Sequence, residues 1–190
     1  MSETETRPGV LKAGGAALWV AAAAAAAVGI ARIVQYGAFQ DASARACDEV
    51  VDLEPSGGWP DSSFPCEQFG PAAWYLPYWS AVAASLVFAA LLVAAAIGTA
   101  RGRRGARTLA AVAAPLGVVL WALPSLFHLG YVFATETANE ADSLVAEQVY
   151  DHLPTWFGPG ESVLEIVFVL AAALALLLLF RPAATAHLGR

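Results

Sequence analysis

Residues 101–107 read Arg101-Gly102-Arg103-Arg104-Gly105-Ala106-Arg107 and hold four of the nine arginines in a chain of 190 residues. Both flanks are apolar. Residues 69–100 carry no formal charge, and 108–134 only a possible one on His128. An α-helix rises 1.5 Å per residue, so about 20 apolar residues cross the ~30 Å hydrocarbon layer. The stretch therefore reads as a short polar link between two membrane-spanning helices. Short arginine-rich loops stay on the cytoplasmic side. Placing Arg101, Arg103, Arg104 and Arg107 inside orients every other segment.

Two further uncharged runs, 13–31 and 166–180, lie outside this pair. The expected spans are 13–35, 76–100, 108–134 and 162–181, joined by outer loops 36–75 and 135–161 and the inner loop 101–107. The fold class is an all-α integral membrane protein, a four-helix bundle forming one domain over 1–190. The apolar runs do not alternate, which excludes a β-barrel. Only 14% of residues are charged and 58% are hydrophobic, whereas soluble domains average about 25% charged.

The net charge of −6 divides by side. Arg7, Lys12, the four loop arginines, Arg181 and Arg190 fall inside; Arg32 and Arg45 are the basic residues outside. Glu3 and Glu5 are the two inner acids, leaving fourteen of sixteen outside. Both termini are thus expected in the cytoplasm, with the chain a multi-pass protein of the plasma membrane. The nine-to-one ratio of arginine to lysine, with abundant alanine, suggests a GC-rich bacterial genome.

Arg7 and Lys12 before an apolar run, with Ala42-Ser43-Ala44 beyond it, resemble a cleaved signal peptide. The run exceeds the ~7–15 residues of a signal core and ends well before that site, so a retained span is expected. Ala17, Ala21, Ala25 and Gly29 form a ridge of small residues four apart, and Ala90, Ala94 and Gly98 a second. Such ridges let helices approach closely. Pro115, Gly117 and Pro124 predict a bend in the third span.

The first outer loop contains both cysteines, Cys47 and Cys66. In an oxidising compartment they are expected to form a disulfide, contributing about 3 kcal/mol to local order. The aromatics Phe64, Phe69, Trp74, Tyr75, Tyr78 and Trp79 read as an interfacial belt. In the second outer loop, Leu144, Val145, Val149, His152 and Leu153 fall at helical spacing. They predict a short amphipathic helix on the membrane or over the bundle.

Ionisable residues within spans are candidates for function. Arg32, His128 and Glu165 qualify, all near the outer boundary, and Glu161 lies four residues before Glu165 on the same face. One reading is an outer polar cluster in which Arg32 pairs with Glu165 and His128 senses pH or binds a cation. The plainer one has Arg32 and Glu165 snorkel to water while His128 bonds within the bundle. There is no His-Glu-x-x-His, no Gly-rich loop with a phosphate-binding lysine, no Gly-x-Ser-x-Gly and no Cys-x-x-Cys. No enzymatic activity, cofactor or metal is expected. No basic patch interleaved with aromatics points to nucleic acid.

Four spans with outer cysteines invite comparison with the disulfide-generating quinone reductases and the vitamin K epoxide reductase family. Both relay electrons through a second cysteine pair, and this chain has two cysteines in total. The layout is similar to that of the claudin-type tetraspans, with both termini inside and a disulfide in the first outer loop. Trp59 lies between Cys47 and Cys66, however, and no Gly-Leu-Trp precedes Cys47. That likeness is one of topology and transfers no function. The expectation is a non-enzymatic accessory subunit or small scaffold with a membrane-protein partner or self-association. The alternative is a small transporter or sensor with an outer site around Arg32, Tyr78, His128, Glu161 and Glu165.

Overall fold

The first helix, α1, spans Gly9–Asp52 without a break. Its 44 residues extend for about 66 Å, roughly twice the hydrocarbon thickness. The expected span ended at 35, but nothing in 36–52 stops a helix. There is no proline, alanine recurs, and the charged residues keep to one side. Phe39, Ala42, Ser43, Ala46, Cys47 and Val50 are buried, while Asp41, Arg45, Asp48, Glu49 and Asp52 are exposed. That is the 3.6-residue period of an amphipathic helix. The acids are its solvated face, and Cys47 of the expected outer loop lies on the helix.

The computed structural model describes residues 9–52, 66, 69–123 and 140–182. A 3₁₀ turn, Gly70–Trp74, leads into α2, Tyr75–Ala100. Arg101 to Arg103 then reverse the chain. Gly102 sits at φ +67°, a left-handed conformation that favours glycine, and the Arg103 amide donates to the Gly98 carbonyl at 2.9 Å. The α3 helix, Arg104–Gly117, follows. Pro115 has no N–H for the carbonyl four residues back. The next turn, Val118–Ala122, is π-type, closed by the Leu123 amide on the Val118 carbonyl. Pro124, His128 and the rest of the expected third span lie outside the described residues. The short helix α4 spans Glu140–His152, and α5 spans Phe157–Leu179. Among the described residues, four helices are long and apolar enough to cross a membrane.

Two apolar clusters hold these elements. The larger is rich in alanine and joins Leu18, Ala21, Ala25, Leu92, Ala95, Ala110, Ala114, Phe168 and Ala172. Here α1 lies between α2 and α5 and packs on both. The first ridge works as expected, since Ala17, Ala21, Ala25 and Gly29 are buried. A Cβ on Gly29 would lie 2.6 Å from Ser85 Oγ and 2.8 Å from Leu86 Cδ2. The second ridge does not: Ala90 and Ala94 face outward, and α2 buries Ala89, Leu92, Ala95 and Ala96. Its Gly98 is nonetheless close-packed, against Ala106 of α3. Trp121 meets Phe168 edge-on at 4.9 Å, beside Gly117.

The smaller cluster lies at the other end. Phe39, Ala46 and Val50 of α1 meet Tyr78 and Val82 of α2, Val145 and Val149 of α4, then Leu153 and Phe157. The Cys47–Cys66 disulfide joins this group, with Cα atoms 5.6 Å apart. His152 Nε2 lies 3.1 Å from Glu49 Oε1, fastening the end of α4 to α1. The bundle thus has an arginine-rich end and a disulfide end, and α4 clamps the part of α1 that outruns its neighbours.

Candidate functional site

Burial on α1 follows one face from Val28 through Arg32 to Phe39 and Ala42. Arg32 takes the position one turn after Val28, so the helical period turns it inward. It is 7% exposed. On α5 the buried face is Glu165, Phe168, Ala172, Ala175 and Leu179. Glu161 continues that face one turn earlier. The inner stripe of α5 therefore begins with two carboxylates, and they arrive beside Arg32.

Arg32 Nε donates to Glu161 Oε1 within a buried ion pair. Glu165, one turn deeper, is 1% exposed and acts electrostatically on Arg32, as does Tyr150 of α4. The Tyr78 hydroxyl donates to the Arg32 backbone carbonyl. The first bond ties α1 to α5 and the second ties α2 to α1. Both sit under an aromatic collar. Phe39 stacks on Tyr78 with centroids 4.0 Å apart, and Tyr36 packs against Trp79 at 4.8 Å and Tyr75 at 6.0 Å.

Of the expected cluster, the structure brings together Arg32, Glu161 and Glu165. Snorkelling does not describe them, because they point into the bundle. The hydrogen bond from Arg32 Nε goes to Glu161, whereas Glu165 was the expected partner. Glu165, the partner expected for Arg32, lies one turn along α5 from Glu161 and acts on the same guanidinium. His128 lies outside the described residues. Tyr150 and the Glu49–His152 pair were not anticipated, since both depend on where α4 docks. Glu49 lies two residues after Cys47, and no local pattern marks it as a partner of His152.

The chemistry available is electrostatic. One guanidinium faces two carboxylates in a medium where unmet charge is costly. A recess of about 90 Å³ between α1 and α5, lined by Val28, Ala31, Phe157, Gly160, Glu161 and Leu164, borders the pair. Ligand sites are usually 300 Å³ or larger, roughly. Among the described residues, no group of three or more His, Cys, Asp or Glu side chains could hold a metal ion. Compared with known proteins, the chain matches no family model, no curated protein and no solved structure.

Proposed function

We propose that this chain is a non-enzymatic, multi-pass protein of a bacterial plasma membrane, with both termini cytoplasmic. In this reading it serves as an accessory subunit or small scaffold of a membrane complex. One observation carries the proposal. Arg32 is joined to Glu161 across α1 and α5 in a buried ion pair, and the recess beside it among the described residues is small. The disulfide end supports it. There α1 continues past its apolar half, bonded through Cys47–Cys66 and clamped by α4. A braced helix of this kind offers a fixed surface to a partner, with Asp41, Asp48, Glu49, Asp52, Glu147 and Asp151 facing outward.

Gentle extraction from native membranes, followed by intact-mass and co-purification analysis, tests the proposal. A membrane-protein partner at fixed stoichiometry, or a defined homo-oligomer, is expected. A lone monomer in every mild extraction rejects it. The second reading, a small transporter or sensor, is favoured by the excess of carboxylate around Arg32. Its signature is loss of a transport or signalling phenotype in Glu165→Gln while assembly and abundance stay normal. The scaffold reading requires that variant to act through assembly alone.

A further inference from the structure

We propose that the arginine-rich end is a docking surface for the phosphate headgroups of anionic phospholipids. The packing gathers basic residues from four helix ends. Gly14 of α1 abuts Leu178 and Leu179 of α5, and Gly98 of α2 abuts Ala106 of α3. Arg107 of α3 lies over the Phe180 ring, 4.4 Å from its centroid. Lys12, Arg101, Arg103 and Arg181 are exposed on this same end. No described Asp or Glu accompanies them: none precedes Asp41 on α1, none follows Glu165 on α5, and α2 and α3 contain none.

Arg107 makes the patch more than a scatter of charges. Phe180 fixes its guanidinium plane, and its Nε is buried with no hydrogen-bond partner among the described residues. A phosphate on this face would meet the guanidinium of the half-buried Arg107 as a planar, charged donor, the geometry that arginine offers to phosphate. The occupant is a lipid because the charges ride the rim of an apolar surface. Leu177, Phe180 and Ile97 are exposed just beneath them, where acyl chains would lie.

Native mass spectrometry of the full chain, extracted from nanodiscs with equal phosphatidylglycerol and phosphatidylcholine, tests this. Phosphatidylglycerol should be retained in preference. Each of Arg101→Gln and Arg103→Gln should weaken retention about fivefold, as expected for ~1 kcal/mol per basic residue near a charged surface. Arg107→Lys keeps the charge, and with it the membrane orientation, but loses the fork and the ring contact. It should also reduce the preference by several-fold. Equal retention of the two lipids, or a preference unchanged in all three variants, overturns the proposal. Displacement of phosphatidylglycerol by millimolar inorganic phosphate also overturns it, because the site would then serve a soluble anion.

Discussion

Replacing Arg32 with glutamine removes the guanidinium that donates to Glu161 and that Glu165 also acts on. Unit charges in contact interact by about 4 kcal/mol at an effective dielectric near 20. Breaking a buried pair by deleting one partner typically costs ~3–5 kcal/mol. Arg32→Gln should fall in that range, since it leaves the Glu161 carboxylate buried without the guanidinium that donates to it. Glu161→Gln should cost less, about 1–3 kcal/mol, because Glu165 still acts on Arg32. The double variant Arg32→Met with Glu161→Met should recover part of the loss, as apolar replacements of buried pairs are often neutral while Glu165 still loses the attraction of Arg32. The assay is reversible unfolding by sodium dodecyl sulfate in mixed micelles, followed by tryptophan fluorescence, with Trp121 in the core as a native probe. The single variants Arg32→Met and Glu161→Met, measured beside the double, close a thermodynamic cycle. Single losses under ~0.5 kcal/mol that simply add would refute the reasoning, because they are the mark of a hydrated surface pair.

Other consequences follow from particular contacts. Gly29→Val places a branched side chain where even a Cβ lies 2.6 Å from Ser85 Oγ; it should lower stability by about 1–3 kcal/mol in the same unfolding assay. Cys47→Ser should loosen the disulfide end by about 3 kcal/mol, from the 19-residue separation of the cysteines. Limited proteolysis reads it, and the change should match the effect of reductant on the unsubstituted chain. Val149→Asp puts a charge at a buried contact between α4 and α1; amide exchange along Glu140–His152 should accelerate while α2 and α5 remain protected. Replacing Arg101, Arg103, Arg104 and Arg107 together by glutamine should scramble the orientation of the spans, measured by the accessibility of cysteines introduced at either terminus.

The burial of Arg32, Glu161 and Glu165 was legible to a reader following helical faces. Glu161 and Glu165 are in register with Phe168, Ala172 and Ala175, and Arg32 with Val28. The same period extends α1 through Phe39, Ala46 and Val50. It is masked there by acids whose charges suggest a loop until they are seen to share one face. The ridge at Ala90 and Ala94 shows the opposite failure. On a helix rich in alanine, small residues occur on every side, so spacing alone cannot say which side meets a neighbour.

By itself the sequence determined the number of long apolar helices, the short arginine link between the second and third, and the pairing of its two cysteines. These follow from local quantities: the length of apolar runs, the clustering of charge and the count of thiols. Only the tertiary structure decided that α4 clamps the far half of α1, that Glu161 meets Arg32 and that Arg107 rests on Phe180. Those outcomes depend on the relative rotation and height of separate helices. Rotation and height are set by close packing at points such as Gly29 against Ser85 and Gly98 against Ala106, between residues far apart in the chain.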